Sequence, residues 1–263
     1  SAAIQAARFN KSVIIIEPSN RLGGLTTGGL GQTDIGNKQV IGGIAREFYR
    51  NIKRHYKDST NWVWQARTDY KDGGQTQSGK EEDAMWTFEP SVALKVYHNM
   101  MKDLDITIVY NQKLNRATGV SKTSNTINSI SMESGETYHG KMFIDATYEG
   151  DLLAAAGISY NVGRESNSQY GESLNGIQAN KTSKTLVGTV SNNAVYHNFI
   201  EGVDPYKVKG DPSSGLLPFI AEGGPGIDGQ GDKGIQAYCF RMTLTDQPEN
   251  RIPFKKPENY EEL

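Results

Sequence analysis

A run of β-branched residues, S-V-I-I-I-E from Ser12 to Glu17, ends on an acid and leads into P-S-N-R-L-G-G-L-T-T-G-G-L-G, in which five of the nine positions from Gly23 to Gly31 are glycine. No other feature restricts the fold so strongly. A continuous β-branched run fits a strand covered on both faces in a parallel sheet. Glycine at this density argues against any regular helix or strand, and it lets main-chain N–H groups crowd a large anionic or planar ligand without side-chain collision. Leu22, Leu25 and Leu30 punctuate the glycines and argue for a packed, specific loop rather than a flexible one. An acid at a strand end is also where a dinucleotide fold accepts the two hydroxyls of a ribose, and Glu17 fits that place.

The flanking segments are consistent with such a sheet. Ser1 to Phe9 is an Ala-rich helix former with Ile4, Ala7 and Arg8 at helical spacing. After Gly42-Gly43, the residues Ile44, Phe48, Ile52 and Tyr56 recur every four positions, as on one helix face. Residues 57–83 turn polar around Trp62 and Trp64 and read as an excursion or lid. Glu89-Pro90-Ser91 starts a further helix to about Asp103, with Pro90 suited to its first turn. Ile106–Tyr110 and then short alternating segments at 117–122, 126–134 and 137–141 predict a small antiparallel meander. Met142-Phe143-Ile144 reads as a buried strand breaking into the helix of D-A-T-Y-E-G-D-L-L-A-A-A-G, Asp145 to Gly157. At that junction the helix N-terminus offers N–H groups to a phosphate, and Asp145 and Asp151 read either as caps or as carboxylates for a sugar hydroxyl. Beyond Ile158 the glycine- and proline-punctuated chain has few periodic segments and belongs to a second domain.

Composition removes several classes of function. A chain of 263 residues holds one large domain or two modest ones. Its formal charge of −2 disfavours nucleic acid as a partner. No apolar run reaches the roughly 18 residues that a membrane span needs, so the segment is expected to be soluble. The single cysteine, Cys239, forms no internal disulfide, and His55, His98, His139 and His197 show no metal-ligand spacing.

The series A-A-I-Q-A-A-R, S-V-I-I-I-E-P, R-L-G-G-L-T-T-G-G-L-G, G-G-I-A-R-E-F-Y, F-E-P, D-A-T-Y-E-G-D-L-L-A-A-A-G and G-R-E-S-N-S-Q-Y-G-E strongly resembles the FAD-dependent oxidoreductases, glutathione-reductase-like flavoproteins whose bacterial members sometimes carry a "xanthan lyase" label. The resemblance continues through P-Y-K-V-K-G-D-P-S-S-G-L-L-P and Q-A-Y-C-F-R and so covers nearly the whole chain. It implies an α/β fold: a Rossmann-like, FAD/NAD(P)-binding parallel sheet carrying a β-meander, with part of a second, substrate domain. The FAD-binding domain is expected over 1-157 and the substrate or cap portion over 158-263. Relative to the family pattern, the first strand and its G-G-x-x-x-G loop and the carboxyl-terminal return to the nucleotide domain are missing, so the chain is expected to be incomplete at both ends.

The resemblance also assigns roles. Glu17 is expected at the adenosine ribose, and Arg21 with the Leu22-Gly23-Gly24 backbone at the adenine and pyrophosphate. Thr26 follows along the pyrophosphate towards the flavin, Leu114 offers main-chain contacts to adenine, and Thr147 and Asp151 close over the ribityl-phosphate region. The cofactor is then FAD, and the reaction is hydride transfer between flavin and a small organic substrate, a sugar or sugar acid, with Asp34, Arg164, Tyr238 and Arg241 as candidate substrate contacts. The alternative is a non-catalytic carbohydrate-binding or interaction module in which Trp62, Trp64 and Trp86 stack on sugar faces.

Overall fold

The computed structural model describes residues 1–32, 34–79, 81–178, 203–224, 226–235, 242–258 and 260. The chain divides into two units, Ser1–Ile158 with Cys239–Leu263, and Ser159–Tyr238. In the first unit, helix α1 (Ala2–Arg8) buries Ile4 and Ala7 and is followed by strand β1 (Val13–Ile16). Strand β2 (Ile106–Val109) lies parallel to β1, with Val13 opposite Ile106 and Ile16 opposite Val109. A parallel pair needs a long crossover, and helices α2 (Gly43–Lys57) and α3 (Pro90–Met101) supply it. The sheet is narrower than the β-branched run suggests. Among the described residues it has two strands, and Ile14 is half exposed, so β1 is not covered on both faces as expected.

Most of the core sits in the crossover. Phe48, Tyr49, Ile52 and Tyr56 form the inner face of α2, and Val92, Ala93 and Val96 that of α3. Between them runs the extended segment Ala84–Phe88, whose alternate residues Ala84, Trp86 and Phe88 are buried. Trp86 and Ile52 are completely enclosed, and burying side chains of this kind contributes roughly 1.5–3 kcal/mol each. The polar stretch from 58 to 83 folds back on this core through short 3-10 turns. Trp62 anchors it, with its indole N–H donating to the Tyr56 carbonyl at 2.8 Å. Arg46 pairs with Glu82 at 2.6 Å and also with Asp83, closing the far side.

Tyr56 links the two helices. Its hydroxyl donates to Glu89 Oε2 at 2.9 Å and accepts the Glu89 N–H at 3.0 Å, at the N-cap of α3. Tyr56→Phe is expected to cost about 1–2 kcal/mol in urea denaturation at neutral pH, since an N-terminal helix link and a buried bond are lost together. Burial pushes the Tyr56 phenol upward from its ordinary value of 10.0. Its contribution is therefore complete below that value and lost as pH rises through the higher folded one, an alkaline loss that the phenylalanine variant should not show.

Strands β3 (Val120–Thr123), β4 (Thr126–Ser131) and β5 (Thr137–His139) form the predicted antiparallel meander, with Ile130 and Met132 buried beneath it. The apolar triplet that follows is not a buried strand. Met142 and Ile144 are largely exposed, because among the described residues no neighbouring strand supplies backbone partners for that segment. Helix α4 (Asp151–Ala155) closes the amino-terminal part of this unit.

The second unit contains the short helix α5 (Asn167–Tyr170) and the antiparallel hairpin β6 (Tyr206–Val208) and β7 (Asp211–Leu216). A bridge joins Arg164 to Asp232, and the Arg164 guanidinium, donating through Nε at 2.9 Å and through Nη2, holds the Asp232 carboxyl down to about 2. The chain is thus of mixed helix and sheet, with one small parallel sheet and two antiparallel ones among the described residues. Among the described residues no helix is long and apolar enough to cross a membrane.

Candidate functional site

The glycine-dense stretch leaves β1 and folds as one π-helical turn, Thr26–Leu30, broken at Gly29, whose φ is 137°. Its glycine content argued against any helix. The turn forms because positions 29 and 31, at φ 137° and 64°, take dihedrals that other residues avoid. Contacts from several elements fix it. Thr27 is fully buried and its hydroxyl donates to the Leu22 carbonyl at 2.6 Å, while Arg21 Nε donates to the Thr27 carbonyl at 2.6 Å. The Phe88 N–H donates to the Gly31 carbonyl at 2.8 Å, tying the end of the turn to the aromatic core. Tyr97 of α3 shares a hydrogen bond with Thr26, and burial pushes its phenol upward. Thr243, from the carboxyl-terminal segment of the same unit, donates to the Gly29 carbonyl at 3.4 Å.

Two further segments meet this turn. Beyond β1 the Glu17 N–H donates to Val109, and the Gln112 and Asn111 N–H groups donate to the carbonyls of Glu17 and Ser19. The chain after β2 therefore runs beside the acid-bearing loop. Among the described residues Glu17 is engaged through Oε1, which accepts from the Ser19 N–H and hydroxyl at 2.9 and 2.7 Å. Leu114 lies further along, with its backbone bridged to Met132, and Arg116 reaches Asp151 at 3.8 Å. From the other side the Tyr148 hydroxyl accepts the Leu25 N–H at 2.9 Å.

Thr147 and Asp151 belong to a loop organised by Asp145. Asp145 Oδ1 accepts from the Thr147 N–H and hydroxyl, and Oδ2 accepts the Leu153 N–H at 3.0 Å. Burial raises the Asp145 carboxyl, but these bonds outweigh it and leave the group below its ordinary value. Asp145 thus serves the amino-terminal end of α4 from outside it, the N-cap position itself being Gly150. The Asp145 carboxylate already takes the Leu153 N–H, a first-turn donor of α4 that the sequence offered to a phosphate.

Glycine geometry tests whether FAD fits. A Cβ at Gly23 would stand 2.6 Å from Thr27 Cγ2, and one at Gly24 would stand 2.4 Å from the Tyr148 hydroxyl, so that side of the loop is filled by protein. At Gly28 the same atom would meet nothing within 4 Å, and the residue is exposed. A planar or anionic ligand can approach the backbone there without collision. With the Glu17 carboxylate and the Arg21 guanidinium beside the same loop, the residues present fit a cofactor carrying ribose and pyrophosphate.

The structure unites residues that the sequence pattern did not single out. Tyr97, Thr27, Phe88 and Tyr148 hold the glycine turn. Thr27, Phe88 and Tyr148 lie within the motifs R-L-G-G-L-T-T-G-G-L-G, F-E-P and D-A-T-Y-E-G-D, whereas Tyr97 carried no such signal. Among the candidate substrate contacts, Asp34 is exposed, Tyr238 and Arg241 lie outside the described residues, and Arg164 is committed to Asp232 instead of standing ready for a substrate carboxylate. The three tryptophans also separate. Trp86 is fully enclosed and stacks on no sugar, Trp62 is half-buried against the core, and Trp64 is 39% exposed.

A glycine turn with an exposed backbone at Gly28 follows the parallel strand β1, with Tyr97 and Tyr148 against it, in a chain whose mixed helices and sheets are consistent with the α/β class. The sequence profile of the family described as FAD dependent oxidoreductase matches residues 1–263, and the chain belongs to that family. It is a flavoprotein oxidoreductase by descent, with FAD as its cofactor. No curated protein matches the chain.

Proposed function

We propose that Ser1–Ile158 holds FAD along the loop after β1, and that the enzyme oxidises or reduces a small organic substrate, a sugar or sugar acid. The observation that carries this reading is the bond from the Leu25 N–H to the Tyr148 hydroxyl, which joins the glycine turn to the 145–151 loop. Both halves of the family pattern thereby meet at one surface. In this reading Glu17 accepts the ribose hydroxyls, and Arg21, with Nε donating to Thr27, offers its terminal nitrogens to the pyrophosphate. The backbone from Leu22 to Gly24 with Thr26 lines the phosphates, Leu114 meets the adenine, and Thr147 and Asp151 close the ribityl end. Bound FAD supplies the two-electron chemistry, as acceptor or donor of the substrate hydride. In this proposal the part of 158–263 that belongs to the substrate domain is the second unit, Ser159–Tyr238, since Cys239–Leu263 groups with the first unit.

Titration of the chain with FAD tests the cofactor part. Saturable quenching of flavin fluorescence is expected, with Glu17→Gln weakening affinity roughly tenfold through loss of a charged acceptor. No uptake of FAD, or equal uptake by the variant, would remove the proposed site. Bleaching of the flavin bands under anaerobic conditions, compared across neutral sugars, uronic acids and non-sugar alcohols, then tests the substrate class.

A further inference from the structure

Away from the glycine turn, two adjoining cavities of about 230 and 490 Å³ open beside α2 and α3 and share His55 and Lys95. Their linings differ in chemistry. The smaller is walled by Trp64 with Asn61, Glu89 and Ser91, an indole face beside a carboxamide, a carboxylate and a hydroxyl. The larger carries Arg54 and Lys95 with the carboxamides of Asn51 and Asn99. Arg8 and Glu47 also line it and form an ion pair at 2.7 Å, while Arg54, whose Nη1 donates to the Asn51 carboxamide, and Lys95 are its further cations.

The chain just before the aromatic wall is anchored. The Asn61 amide donates to the His55 carbonyl at 2.8 Å and the Trp62 indole to the Tyr56 carbonyl at 2.8 Å, so the segment leading to Trp64 is pinned to the end of α2. Glu89 is held by the Tyr56 hydroxyl. A site whose groups are already ordered loses little entropy on binding. An exposed indole suits the C–H face of a pyranose, planar polar side chains suit its ring of hydroxyls, and two adjacent cations suit a carboxylate.

We propose that this groove binds an acidic saccharide, a uronate-containing chain of two or three residues, with one ring on Trp64 and a carboxylate at Lys95 and Arg54. The site is separate from the FAD loop and does not depend on the flavin. Trigalacturonate is the probe, followed by tryptophan fluorescence of the full chain, with fully methyl-esterified trigalacturonate as the uncharged counterpart. Saturable binding is expected for the acid, with loss of the signal and of calorimetric heat in Trp64→Ala. Lys95→Met and the methyl ester should each weaken binding roughly tenfold by removing a charge-assisted contact. Both variants replace exposed side chains, and their melting curves should match that of the parent. The proposal is overturned by absence of saturable binding up to about 10 mM, a weaker limit than useful recognition requires. Undiminished heat in Trp64→Ala, or equal affinity for acid and ester, overturns it as well.

Discussion

Trp86→Ala should reduce stability by about 3–5 kcal/mol, enough to unfold much of the population of a domain of ordinary stability. Trp86 is completely enclosed, its ring lies 4.4 Å from that of Tyr49, and the Arg46 guanidinium sits 5.3 Å from its centroid. Removing it opens a cavity at the point where α2, α3 and the 84–88 segment meet, and surrounding side chains that already pack on one another cannot close the gap. Trp86→Phe should cost much less. Among the described residues the indole N–H has no hydrogen-bond partner, and the phenyl ring removes that buried donor while keeping most of the apolar volume. Thermal and urea unfolding of the two variants measures the difference, and equal losses would mean that the indole does not organise the core.

The second large effect separates folding from cofactor binding at neighbouring glycines. Gly28→Leu should leave the melting temperature of the flavin-free chain unchanged, because its Cβ enters open space, yet weaken FAD binding at least roughly a hundredfold by filling the surface the cofactor needs. Gly23→Ala should do the reverse first. At φ 103°, with its Cβ 2.6 Å from Thr27 and 2.8 Å from Tyr97, it adds strain and collision of about 1–3 kcal/mol to the folded chain before any ligand arrives. Calorimetry of both variants with and without FAD distinguishes these outcomes. Unimpaired FAD binding by Gly28→Leu would place the cofactor elsewhere.

The helices and the meander were legible because their signals are local. Phe48, Ile52 and Tyr56 repeat every four residues and lie on the buried face of α2, and Pro90 opens α3. The alternating segments after Ala117 pair as an antiparallel sheet for the same reason. What stayed hidden depends on distant partners. The glycine turn takes its shape from Tyr97, Phe88 and Tyr148, none of them near it in sequence. Arg164 looked available as a carboxylate clamp until Asp232, 68 residues away, was seen to occupy it. Met142 and Ile144 read as a strand, but hydrophobicity alone does not supply the neighbour that a strand requires. Among the three tryptophans, composition had no means of telling an enclosed indole from a displayed one.

The bond from Leu25 to Tyr148 spans 123 residues, whereas α2 and α3 are stabilised largely by contacts within and between two consecutive helices. Closing a long loop carries an entropic cost that local contacts avoid, so the ligand surface is expected to mature after the helical core. Pulse-labelled hydrogen exchange during refolding should show the Leu25 amide protected later than those of α2, and simultaneous protection would contradict this order. During synthesis the same bond cannot form until Tyr148 has been made. The chain would therefore carry a folded aromatic core before it has a finished place for its cofactor.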